Sequence, residues 1–196
     1  MARQPLPVFV GRVWMNGDPW LMADRAEAEK WTGFEGDYDR ILELGAFETT
    51  VDVGGGSGVL LSSDYDDSTV EVFRIARDEL LIVGVRYADA DVPYAAVLED
   101  AVGVELEKSA TMPVASGEVA ILASALPWSS GTLVREKPMP LTNAERRREP
   151  NQEILILNLD AGDYVLSERH IDRANHGLAV WRLHLDSQAA VTSPMG

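Results

Sequence analysis

The chain of 196 residues contains no cysteine. Disulfides, thiol catalysis and thiolate-held metals are therefore excluded, and the sequence suits a reducing cytosol. Long apolar runs are missing too. The opening MARQPLPVFVGRVWMNGD is broken by Pro5, Pro7, Gly11 and Arg12 well short of a signal-peptide core, and no 18-residue apolar stretch occurs. The expectation is a soluble cytoplasmic protein with no membrane contact. Basic residues are scarce in one half only. From Asp18 to Glu107 there are 22 acidic residues and six basic ones, a net of −16, while the remainder has 10 and 11, a net of +1. A chain so short of cations there has little with which to grip phosphates, so nucleic acid is not an expected partner. The acidic excess reads either as solubility or as a surface that attracts cations.

Apolar residues make up 46% of the chain, enough for a sizeable core without staples. The organisation reads as a single domain, or as two packed β-rich halves over about 1–110 and 111–196. Short runs rich in Val, Ile, Leu, Thr and aromatics recur between Gly, Asp, Asn and Pro, among them PVFVGRVWM, STVEVFRIA, ELLIVGVRY, EILILNL and GLAVWRLHL. In STVEVFRIA, Val70, Val72 and Ile75 sit among Glu71, Phe73 and Arg74, the pattern of a half-buried strand. Helix formers gather in DRAEAEKW (24–31). YDRILEL follows Asp37 as a cap and ends at Gly45, and DVPYAAVLEDAV (91–102) opens on Asp91 and Pro93; ERRRE near Ala144 suggests one more turn. The fold class is mostly β (α+β): antiparallel, sandwich-like sheets with a few short helices. SGVLLSSDYDDSTVEVF (57–73) loosely echoes GEVAILASALPWSSGTLV (117–134), which is read as the shared look of β-hairpins rather than a repeat.

The densest chemistry lies between Trp31 and Asp67. GGGSG (54–58) is followed by a strand rather than a helix, so it reads as a hairpin turn and not a phosphate cradle. DYDDSTVEVFRI (64–75) has Thr69 and Ile75 where a calcium loop requires Gly and Glu. His170 and Asp172 share a strand face, a start toward a metal or acid–base pair, whereas His176 and His184 fall at opposite ends of one strand. No metal, cofactor or catalytic residue is assigned. NAERRREPN (143–151) is a basic cluster compensated by Glu145 and Glu149 and available to pair with the acidic half. Of Trp14, Trp20, Trp31, Trp128 and Trp181, the default role is packing, with Trp31 and Trp128 the candidates for exposed anchors.

Across about Val13 to Val72, VWMNGDPWLM, Trp31-Thr-Gly33, DYDRILELGAFETTVDVGGG and GVLLSSD occur in that order. In these features the chain resembles the immunity protein 21 family of bacterial polymorphic toxin systems. The resemblance implies a mostly-β cytosolic protein that binds and blocks a cognate toxin, such toxins often being nucleases. A nuclease carries a basic groove, which an acidic inhibitor occupies with electrostatically steered association. The expected partner is thus a basic toxin domain, and the expected contact residues are Trp31, Asp37, Tyr38, Asp39, Asp64, Tyr65, Asp66 and Asp67. The alternatives are a carbohydrate- or ligand-binding β-sandwich using exposed tryptophans, and a metal-dependent enzyme near His170 and Asp172.

Overall fold

The computed structural model describes residues 7–16, 19–44, 48–62, 67–89, 92–138 and 153–186, and of Met15, Asn16, Asp67, Ser68 and Tyr94 only the backbone. The described strands are β1 (Val8–Asn16), β2 (Trp20–Asp24), β3 (Thr50–Val53), β4 (Gly56–Leu61), β5 (Asp67–Ala76) and β6 (Glu79–Ala88), then β7 (Glu107–Val114), β8 (Glu118–Ala123), β9 (Thr132–Arg135), β10 (Glu153–Asn158), β11 (Gly162–Asp172) and β12 (His176–Leu185). The helices are α1 (Arg25–Ala28), α2 (Tyr38–Leu42) and α3 (Tyr94–Gly103), with 3-10 turns at Gly33–Glu35 and Trp128–Ser130. The mostly-β expectation holds.

Two six-stranded sheets face each other, one in the order β1-β5-β6-β12-β11-β7 and the other β3-β4-β2-β8-β10-β9. Every pairing is antiparallel except β9 with β10. Period-two alternation sends Val70, Val72, Leu80, Ile82, Trp181 and Leu183 of the first sheet against Trp20, Met22, Leu61, Ile121 and Leu157 of the second. The outer faces are covered as well. Helix α3 packs Val97, Leu98 and Ala101 over Phe73, Leu81, Val83 and Val180. Ala28 and Trp31, with Ile41, Leu44 and Trp128 at the margin, cover Leu21, Leu60, Ala120, Leu122 and Ile156 of the second sheet. The half-buried reading of STVEVFRIA is therefore corrected. Val70 and Val72 face the core as expected, but Phe73 on the opposite face is 1% exposed under α3, while Ile75 reaches solvent.

The strand orders contain a regularity. Replacing each strand by the one six places along in the chain turns each sheet into itself, read backwards. The central pairs β6–β12 and β2–β8 lie on the pseudo-dyad. Strands β6 and β12 are both ten residues long and begin 97 residues apart, as do the six-residue strands β4 and β10. Each sheet thus takes three strands from each half of the chain. The echo between 57–73 and 117–134 has no part in this: the first segment spans β4 and β5, the second β8 and β9, which occupy inequivalent places. The symmetry is broken at one edge, where β3 runs antiparallel to β4 but β9 runs parallel to β10.

At the core's polar margin, Tyr164 is fully buried and its hydroxyl donates to the Asp160 carbonyl at 2.9 Å. Burial first, and then the neighbouring Asp78 carboxylate, push its pKa up to about 12. A folded pKa above the unfolded value of 10.0 means that Tyr164 contributes stability fully below pH 10 and loses it as pH rises toward 12. Ultraviolet titration of the folded protein should show one phenol ionising near 12, and Tyr164→Phe should remove that phase. An unaltered titration curve would refute the assignment.

Candidate protein-binding face

The connection from β2 to β3 builds the face. Asp24 closes β2 and caps α1, its Oδ1 accepting from Ala26 N at 2.8 Å. Its Oδ2 accepts from the backbone N–H groups of Ala115 and Ser116, both at 2.7 Å, which ties the turn between β7 and β8 to the start of α1. Arg25 bonds Glu118 and Glu29. Glu27 takes Lys30 Nζ and the Gly55 N–H, contacts that hold its carboxyl below the usual range. Gly54 and Gly55 form a two-residue hairpin loop between β3 and β4, with Gly54 at φ 62°. The turn expected of GGGSG is accordingly present and is confined to Gly54 and Gly55, with the Gly55 N–H donating to Glu27 of α1, while Gly56, Ser57 and Gly58 already belong to β4.

Trp31 follows, and the expectation of an exposed anchor is corrected here. Its indole is 2% exposed on the outer face of the second sheet and donates Nε1–H to the Ser124 carbonyl at 2.7 Å. Burying that large ring is the stronger tendency once a second apolar face needs a cover. The backbone is pinned around it: Trp128 N donates to Trp31 O at 2.9 Å and Phe34 N to Ala125 O at 3.0 Å. Gly33 lies between at φ +55°, where an added Cβ would meet Leu126 C at 2.5 Å and Ala125 O at 2.6 Å. Trp31-Thr-Gly33 is thus a docking motif for 124–128, and glycine is required by both conformation and contact. Trp128, the other candidate anchor, is half-buried against the same apolar cluster.

Past this dock the chain turns outward. Asp37 stands at the N-cap position of α2 without capping it. Its Oδ2 instead accepts from Thr32 N at 2.8 Å and Thr32 Oγ1 at 2.6 Å, closing a loop around the 3-10 turn. Burial alone would raise this carboxyl, but the Thr32 hydrogen bonds and Arg40 outweigh it and hold it below the ordinary carboxylate range. The loop presents Phe34, 69% exposed, with its ring edge-on to Tyr38 at 4.5 Å between centroids. Leu42, one turn further along α2 from Tyr38, is 68% exposed. Glu35, Asp39, Glu43 and Asp52 are exposed in the same region, and no cation pairs with these carboxylates among the described residues.

Of the expected contact residues, Tyr38 and Asp39 therefore belong to this outward face, Asp37 braces it from within and Trp31 lies beneath it. Asp64, Tyr65 and Asp66 fall outside the described residues, and Asp67 is described only as the backbone partner of Asn16 at the start of β5. The calcium-loop segment begins in that stretch. NAERRREPN, Gly45 and Asp91 also lie outside. The aromatics of FEGDYD (34–39) suit interface anchors by their place among carboxylates, but Phe34 and Leu42 are not among the expected contact residues. The signal for Phe34 was its place between Gly33 and Gly36, where no regular element buries it; Leu42 had none, since a leucine on a helix is packed by default.

The histidines are separated. His170 and Asp172 share an exposed face of β11 on either side of buried Ile171, but His170 Nε2 contacts Ser62 O at 3.2 Å and Asp172 pairs with Arg86 at 3.1 Å. The imidazole–carboxylate pair is instead His176 with Asp100 of α3, at 3.1 Å, and Arg173 joins the same oxygen at 3.2 Å. Asp100 and His176 are far apart in sequence, and their pairing fastens α3 to β12. His184 lies at the other end of β12. Among the described residues, no three His, Cys, Asp or Glu side chains are grouped to hold a metal ion. No helix is long and apolar enough to cross a membrane among the same residues. In comparisons with known proteins, no protein-family model, no curated protein and no solved structure matches the chain.

Proposed function

We propose that this chain is an immunity protein that neutralises a cognate basic toxin, in keeping with a nuclease, by stoichiometric binding through its acidic face. The observation that carries the reading is the outward face bearing exposed Glu35, Asp39, Glu43 and Asp52, whose carboxylates have no cationic partner among the described residues, Arg40 being engaged by the Asp37 carboxylate and the Asp52 carbonyl. They belong to the half of the chain that holds the net charge of −16. Such a field speeds encounter with a cationic protein and repels anionic competitors. The carbohydrate reading loses its main support, since none of the five tryptophans is exposed.

The test is to look beside this gene for a toxin domain, whose absence would count against the reading, and to titrate the purified domain with the full chain. The expected result is a one-to-one complex that abolishes toxicity. Reversing Asp39 and Glu43 to Lys should slow association by about tenfold at low salt and flatten its salt dependence, with a smaller change in dissociation. Reversing Asp64, Asp66 and Asp67 is the parallel test of the other expected contact carboxylates. Association that is insensitive to both sets would rule out the acidic face.

A further inference from the structure

We propose that Phe34, Tyr38 and Leu42 form the apolar anchor of this face, and that its occupant is a cationic protein surface bearing an apolar pocket rimmed by Lys or Arg. The proposal rests on the binding reading above and names the side chains that would carry the affinity. Three observations lead to it. First, exposure of Phe34 and Leu42 at 69% and 68% is unusual for side chains placed by a well-fastened loop. Phe34 is held by its own backbone bond to Ala125 O, by the Asp37–Thr32 closure and by its contact with the Tyr38 ring, so the knob is preorganised while remaining unburied.

Second, the matched connection of the other half does without this element. Under the pseudo-dyad, the β2–β3 connection (25–49) corresponds to the β8–β9 connection (124–131), which makes its link with one 3-10 turn. Trp31 and Trp128 stand 97 residues apart, the same offset as the matched strands, and both pack against the apolar cluster on the outer face of the second sheet. What the first connection adds beyond its tryptophan is α1, which packs Ala28 on that cluster, then the loop closed by Asp37 and helix α2. The loop and α2 carry the exposed apolar groups.

Third, the rim selects the occupant. Glu35, Asp39 and Glu43 stand exposed beside the knob, so a second copy of this chain would bring like charges together, as would an anionic lipid surface. A cationic rim around an apolar pocket satisfies both the ring and the carboxylates. Aromatic anchors surrounded by polar contacts are the arrangement in which a few residues dominate affinity.

The probe is a 20-residue amphipathic helical peptide of leucine and lysine, titrated into isotopically labelled full-length protein and followed by amide NMR. Saturable binding should move the amides of 33–44 most, and Phe34→Ala and Leu42→Ala should each weaken it by about tenfold or more while leaving its salt dependence unchanged. Asp39→Lys should flatten the salt dependence instead. Unchanged thermal stability of the Phe34 variant shows that the loss is one of contact. The inference is overturned if no saturable binding occurs, if the shifts spread over other acidic surfaces, if Phe34→Ala binds within twofold of the parent, or if light scattering shows concentration-dependent dimers that Phe34→Ala dissolves. Failure of the broader reading looks different: the peptide still maps to 33–44, yet the chain does not neutralise the neighbouring toxin.

Discussion

Replacing Trp31 by alanine should lower the stability of the protein by about 3–5 kcal/mol, the cost of emptying a fully packed large aromatic site. For a chain of this size that corresponds to a fall of about 10 °C in Tm. The ring is the largest buried side chain of the cluster on the outer face of the second sheet, which it shares with residues of α1, β2, β3, β4, β8 and β10. Its removal also leaves the Ser124 carbonyl without its indole donor. Trp31→Phe separates the two contributions: it keeps most of the volume, loses the N–H, and should cost about 1–2 kcal/mol. Calorimetry on both variants checks this. A Trp31→Ala protein within 1 kcal/mol of the parent would mean that the ring is not a core element. Because the same dock positions the knob, Trp31→Ala should weaken partner binding indirectly, which distinguishes it from Phe34→Ala.

Substituting Asp24 by alanine should cost about 3 kcal/mol or more, read from the urea midpoint. The carboxylate is 4% exposed and accepts three backbone N–H groups, one from the first turn of α1 and two from the turn between β7 and β8. Alanine strands all three donors, and each hydrogen bond to a charged acceptor is worth about 1.5–3 kcal/mol, with incomplete additivity. Asp24→Asn should recover only part of the loss, since its amide group donates where an acceptor is needed. A loss below about 1 kcal/mol for alanine would show that water replaces the carboxylate. This residue links the two topological halves, so its removal should also reduce unfolding cooperativity across the β2–β8 pair.

Much of the architecture was legible because it follows from local patterning. Alternation in β5, the glycine pair between β3 and β4 and the helix formers after Asp24 are short-range signals, and each appears where the residues place it. Partial failures have a common cause. Phe73 and Trp31 were assigned to outer, solvent-facing roles because alternation cannot reveal whether a second layer covers the far side of a sheet. Asp37 was read as a helix cap, yet Thr32 offers two donors at close range and wins its carboxylate. The pairing of His176 with Asp100 is invisible to local pattern because they stand 76 positions apart, with strands β7 to β11 between them.

What the sequence determined by itself is the chemistry available: no thiols, a strand-rich core, and an acidic first half with few cations. These are properties of composition and near-neighbour order, and they survive any arrangement of the strands. The tertiary structure decided which aromatic is buried and which is presented. Trp31 and Phe34 are three residues apart on the same loop, but the Ser124 carbonyl and a sheet face await one, while the other meets the Tyr38 ring and solvent. That difference comes from the pairing of the two halves across the pseudo-dyad, which brings 124–128 against 31–34.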